Sequence, residues 1–196
     1  MLTAIAQPNA YQVGASRHAV REAIIVAAKK QFYFTGYAAT DLTMIAQRLP
    51  MRLTHLKRYF ANKLTLFRAC IDDNMRQLNE VFQPLRDSTR PPAELSQQWV
   101  EGLHALLQPD RYHDFAHCLA TELMGSHEAE NVLVNYVARW QQDVMQLLTK
   151  LTHKTKTQEE LLALLCILQG SIYYQRIYRN PQYLTMTLRY IVQQLA

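Results

Sequence analysis

From Ser16 onward, apolar side chains recur at three- and four-residue intervals, and that spacing predicts helices along the chain. Val20, Ile24, Ala27, Ala28 and Phe32 share one face of a first helix. Ser16 is placed to cap its start and Gly36 to end it. Leu42, Ile45, Ala46 and Leu49 form the apolar face of a short second helix that Thr40 or Asp41 caps and Pro50 breaks. A third short helix is predicted from about Leu53 to Phe60. A long fourth, capped by Asn62 and running from about Leu64 to Leu85, carries Phe67, Cys70, Ile71, Met75, Leu78, Val81, Phe82 and Leu85 on one stripe. Ser88 to Pro92 reads as a loop. Helical spacing resumes at about 93–107, 110–125, 129–152, 158–179 and 182–195, with breaks at Pro109, Gly125–Ser126 and Asn180–Pro181. The pattern predicts an all-α chain of about nine helices, preceded by a mobile, aperiodic tail over residues 1–15.

Composition narrows this further. With 5 Gly and 7 Pro in 196 residues, the chain lacks the turn-formers of an all-β sandwich or barrel. At 49% apolar and 19% charged it can bury a real core. Cys70, Cys118 and Cys166 are isolated, so no disulfide framework or zinc ribbon is expected. No positive charge precedes Arg17, and the longest apolar run, Leu161 to Leu168, is far short of a membrane span. The expectation is a soluble cytoplasmic protein. No nucleophile elbow, phosphate loop or dinucleotide fingerprint occurs, so neither an enzyme nor a cofactor is expected.

Charge is unevenly placed. Residues 1–70 hold ten Lys or Arg and two acids, 10 − 2 = +8; residues 71–196 hold eleven and fourteen, 11 − 14 = −3, which together give +5. A basic N-terminal third on an acidic remainder suits a polyanion partner, or a plain solvated surface. Local pattern favours the first. Residues 42–60 read helix, tight turn, helix, behind a basic first helix. Small Ala46 permits a close crossing, and Ile45, Leu49, Leu56 and Tyr59 can fill a small core. Thr54, His55, Lys57 and Arg58 then present donors and cations suited to a major groove.

Leu161 to Tyr178 is apolar around nearly its whole circumference, so one face is expected to pack on its own core and another on a second copy. Leu162, Leu165 and Ile172, with Leu184, Leu188, Ile191 and Leu195 of the last helix, are the candidate interface; two helices from each chain would make a four-helix contact. A single buried central helix is the alternative.

Residues 17–67 resemble the DNA-binding domain of the TetR family of bacterial transcriptional regulators. The resemblance rests on Ile24, Ala27, Ala28, Phe32, Gly36–Tyr37, Ala39, Thr40, Ile45, Ala46, Leu56, Tyr59–Phe60, Asn62–Lys63 and Leu66, in register without a gap from Gly36. It implies a reading head over 16–63 and a helical, dimerising, effector-binding domain over 64–196. It also implies a homodimeric repressor released from operator DNA by a small molecule. Arg17, Thr40, Arg52, Tyr59 and Lys63 are the expected phosphate contacts. The chain departs from the family pattern with Pro50 at the turn glycine, Arg52 where a Ser or Thr usually caps, Lys57 in place of a Tyr, and Leu64 in place of an acid. These imply an unusual operator preference or a weaker half-site.

Trp99, His104, Tyr112, Phe115, His117, Tyr136, Trp140 and Tyr174 are the pool from which an effector pocket could be lined. His113 and His117, with Glu101–His104, Asp110–His113 and Asp114–His117, raise a second reading: a di-iron-like helical bundle oxidase. Against it, two of the pairs overlap on one helix, only one carries Glu, and the basic N-terminal third goes unexplained; no metal is expected. A third reading is an interaction protein on this scaffold that no longer reads DNA.

Overall fold

The computed structural model describes residues 16–108, 112, 114–125, 128–152 and 156–195. The tail predicted over 1–15 lies outside them, as do Pro109, Asp110, His113 and Ser126. Among the described residues the secondary structure is helical, in ten elements.

Local chemistry sets the first four. α1 (Arg17–Thr35) starts where the Ser16 hydroxyl accepts the Ala19 N–H at 3.1 Å, and stops at Gly36, whose φ of 85° few other residues adopt. α2 (Leu42–Gln47) is capped by Asp41, which accepts the Met44 N–H at 2.8 Å. α3 (Leu53–Leu56) is one turn of regular helix followed by turns to Tyr59, shorter than the spacing predicts. Its cap position holds Arg52, whose side chain accepts no backbone N–H, so the start rests on the Arg52 carbonyl alone, which accepts from His55 and Leu56. Asn62 caps α4 (Lys63–Asp87) at 2.8 Å from Thr65 N, and the helix runs through Pro84.

α5 (Pro92–Leu106) opens on a proline whose missing N–H costs nothing there. The single helix expected over 110–125 is instead two one-turn pieces, α6 (Phe115–Cys118) and α7 (Ala120–Leu123). Leu119 joins them, and its N–H reaches Ala116 O three residues back, which tightens the chain there. α8 (Glu130–Leu151), α9 (Gln158–Tyr178) and α10 (Gln182–Leu195) complete the chain. A capping box at Thr157 and Glu160 starts α9.

α1, α2 and α3 close around Ile24, Ala28, Ile45, Ala46, Leu56 and Phe60, all buried. α4 packs against α1 on one side and α5 and α8 on the other. The apolar core runs unbroken from Val20 to Leu195, across the boundary expected at residue 63. At the joint, Phe32 meets Tyr37, Phe67 and Phe115 at ring separations of 5.7, 5.6 and 6.4 Å. Beside it Lys29 of α1 and Asp73 of α4, both nearly sealed, form a 2.5 Å ion pair.

α10 lies against α9 and α5, and this corrects the expected subunit interface. Leu184, Leu188, Ile191 and Leu195, with Leu165 and Ile172 of α9, are buried in the chain's own core. Helical periodicity marks a face that must be buried, not which chain buries it. Of the candidates only Leu162 faces outward. Around it stands an exposed apolar face of α9 and α10: Ile167, Tyr173, Tyr174, Ile177, Tyr178, Tyr183, Met186 and Tyr190. Among the described residues no helix is long and apolar enough to cross a membrane.

Candidate nucleic-acid interface

The head presents its cations outward while most of its apolar residues face its core. Leu56 and Phe60 turn into the core, which leaves Arg52, Thr54, Lys57 and Arg58 exposed on and beside α3. Arg17 is exposed at the start of α1. His55 is half-buried, its ring 5.6 Å from that of Tyr59. A cleft of about 380 Å³ opens between α2, α3 and the start of α4, lined by Thr43, Lys57, Asn62 and Lys63 among others. Asp41 lines the same cleft, so a carboxylate stands among its lysines.

Two expected phosphate contacts are turned inward. Thr40 is buried, and its hydroxyl donates to Gly36 O at 2.6 Å, so its one proton is already used. Lys63 Nζ donates to Tyr37 O at 2.8 Å and Ala38 O at 3.3 Å and stands 4.4 Å from the Tyr37 ring centre. Its first task is to hold the turn between α1 and α2. Two basic residues go beyond the expected set. Arg21, exposed, stacks over Phe60 at 5.4 Å. Arg48, also exposed, is tied to buried Gln31 and so pins the end of α2 to α1.

The joint between head and helical domain carries polar ties as well as apolar ones. Glu122 of α7 accepts the N–H groups of Tyr37 and Ala38 at 3.1 and 2.5 Å. Arg176 of α9 donates to Tyr33 O at 3.1 Å and lies 4.1 Å from the Tyr33 ring centre. Neither tie has a signal in the sequence, since each spans 84 residues or more.

The structure scatters the aromatic pool. Tyr174 is on the outer face of α9, stacked on Tyr178 at 5.9 Å, and not in a pocket. Tyr112 packs against Tyr33 and Phe34 at the joint, and Phe115 joins Phe32 and Phe67. His104 is half-buried on α5, and Trp99 is buried with an indole N–H that meets no acceptor. His117, Tyr136 and Trp140 do come together where α6 meets α8, with the His117 ring 5.6 Å from Tyr136 and 5.3 Å from Trp140. His117 Nε2 faces Gln169 Nε2 of α9 at 3.1 Å, while its Nδ1 is sealed from solvent with no partner. Burial pushes the His117 pKa down to about 4, so the ring is neutral. Burial also raises Tyr136, whose hydroxyl neighbours Asn74 of α4. Asp114 nearby is raised by burial, partly offset by Arg176.

Glu101 and His104 stay on α5, and Asp114 and His117 flank the start of α6. Among the described residues no three His, Cys, Asp or Glu side chains group as a metal site.

A core-packed helix pair with an outward basic turn of helix, joined through α4 to a helical domain, is a helix-turn-helix arrangement. No family model and no curated protein matches the sequence. Solved structures match its fold. A TetR-family transcriptional regulator from Agrobacterium tumefaciens superposes with a TM-score of 0.75 at 12% identity, over 91% of this chain and 98% of that one. A TetR regulator from Legionella pneumophila gives 0.75 at 14%, over 94% and 100%. The fatty acid degradation regulator FadR from Bacillus halodurans gives 0.68 at 16%, over 89% and 93%. The chain has the TetR-family fold over nearly its whole length.

Proposed function

We propose that this protein is a homodimeric transcriptional repressor that reads operator DNA with α2–α3 and is released by a small molecule bound in its helical domain. The observation that carries the DNA reading is the outward set Arg52, Thr54, Lys57 and Arg58 on a helix-turn-helix whose apolar side is fully used. Thr54, His55, Lys57 and Arg58 read base edges; Arg17, Arg52 and Tyr59 position phosphates, with Arg21 added to them. The exposed apolar face of α9 and α10 supports the dimer, for a patch of this kind marks an interaction surface. Two copies joined there form a four-helix contact, with Leu162, Ile167, Tyr174 and Tyr178 in place of the buried leucines.

The effector site falls at His117, Tyr136 and Trp140. An unpartnered ring nitrogen among aromatic faces suits a planar, uncharged molecule with one hydrogen-bonding group. An anion would meet a neutral histidine and the nearby Asp114 carboxyl. The effector must bind the DNA-incompetent state better than the competent one.

The test is fluorescence anisotropy with labelled DNA from upstream of the protein's own gene, against an unrelated duplex of equal length at two salt concentrations. Tight, salt-sensitive preference for the upstream DNA is expected. Equal weak binding to both would leave an interaction scaffold with a basic patch.

A further inference from the structure

Glu122 stands in the helical domain, yet both its carboxylate oxygens are used on the reading head. Oε1 accepts the Ala38 N–H at 2.5 Å and Oε2 the Tyr37 N–H at 3.1 Å. These are successive amides of the turn that leads into α2, a small backbone nest for a carboxylate. Gly36 makes room for it: a Cβ there would stand 2.5 Å from Glu122 Oε2. The carbonyls of the same two residues accept from Lys63 Nζ, and Thr40 closes on Gly36 O. The N–H groups of Tyr37 and Ala38 are therefore held by the helical domain, and their C=O groups by the first residue of α4.

We propose that Glu122 is the positioning residue that fixes the tilt of α2 and α3 against the helical domain, so that a displacement of α6–α7 reaches the reading head through these two hydrogen bonds. The inference rests on the regulator reading and names how its two ends are joined. Besides the Lys29–Asp73 pair, which ties α1 to α4 and does not touch the lead-in to α2, the joint holds ring packings such as Phe32 on Phe115, which tolerate a slide. A carboxylate on two N–H groups is directional and charge-assisted, and does not. The Arg176 tie reaches Tyr33, in α1 itself, and leaves the lead-in to α2 to Glu122. His117 lies five residues before Glu122, with Leu119 the only residue between α6 and α7. A molecule wedged beside His117 moves both.

The test uses the full chain and needs no effector. In Glu122→Ala, amide hydrogen exchange at Tyr37 and Ala38 is expected to rise about tenfold or more, with α9 amides unchanged. The ratio of affinities for upstream over unrelated DNA is expected to fall about tenfold, while affinity for the unrelated duplex holds or rises as a negative charge is removed. Glu122→Asp, a shorter carboxylate, should fall between the two, and it decides the matter if the alanine variant also loosens α9. Unchanged exchange at Tyr37 and Ala38, or an equal loss on both duplexes, would overturn the proposal. A wild-type protein that does not prefer the upstream DNA would sink the regulator reading instead, and the exchange data alone would then decide whether Glu122 holds the turn.

Discussion

Lys29 and Asp73 fasten the first helix of the head to α4, and their pair gives a quantitative handle on that joint. The ammonium is 3% exposed and the carboxylate 7%, with 2.5 Å between them. At an effective dielectric of about 20 the attraction is about 7 kcal/mol, most of which offsets the several kcal/mol lost per ion on leaving water. Removing one partner removes the attraction and leaves the other's desolvation uncompensated. Asp73→Ala is therefore expected to cost about 3–5 kcal/mol. Arg76, half-exposed and also bonded to Glu80, goes to water without much loss. Lys29→Met with Asp73→Leu removes both charges and keeps the volume, and should recover to within about 1–2 kcal/mol of wild type. Urea unfolding followed by far-UV circular dichroism at pH 7 measures both variants against wild type. A single variant that costs under about 1 kcal/mol, or a double variant no better than the single one, would mean that the buried pair does not hold the joint. The pair also sets an acid response. Burial alone would raise the Asp73 pKa, but Lys29 and Arg76 bring it below its ordinary value. Its contribution is present above the unfolded carboxylate pKa and is lost as pH falls through the lower folded one.

Three other outcomes are expected. His117 titrates near 4 in the fold against 6.5 in the open chain, so the unfolded state binds more protons between those values. Stability should fall by about 3 kcal/mol as pH drops from 7 to 4, and His117→Gln should lack that share of the slope in urea titrations; identical slopes would refute a neutral buried ring. Arg52→Ala and Lys57→Ala should each reduce the slope of log affinity against log salt by about one, measured by anisotropy, and an unchanged slope would remove that residue from the interface. Tyr174→Glu with Tyr178→Glu, on the exposed α9 face, should give a folded monomer in sedimentation velocity, and a persistent dimer would place the subunit contact elsewhere.

What the sequence revealed was local. Ser16, Asp41 and Asn62 cap their helices because a side chain three residues from an N–H needs no tertiary help. The helix-turn-helix was legible because its core positions, Ile45, Ala46 and Leu56, follow helical spacing within twenty residues. The outward Arg52, Lys57 and Arg58 followed as its complement. Longer-range facts were not legible. Nothing near Lys63 or Thr40 announces that both turn back onto the Gly36–Ala38 carbonyls. The last helix shows a stripe that must be buried, and only the packing shows it buried at home. Tyr174 and Tyr136 are the same residue type, and neighbours distant in sequence put one outside and one in the core. Glu122 on the Tyr37 and Ala38 amides, and Asp73 beside Lys29, join segments more than forty residues apart.

Two reading heads on one dimer should read operator DNA together. Selection of bound duplexes from a random library by the purified protein, with sequencing of the winners, tests it most directly. The expected result is an enriched motif with two-fold symmetry, its half-sites centred about 10–10.5 base pairs or a small multiple apart, and its enrichment abolished in Lys57→Ala with Arg58→Ala. Enrichment of no motif at low salt, or of a motif indifferent to Lys57 and Arg58, would contradict it.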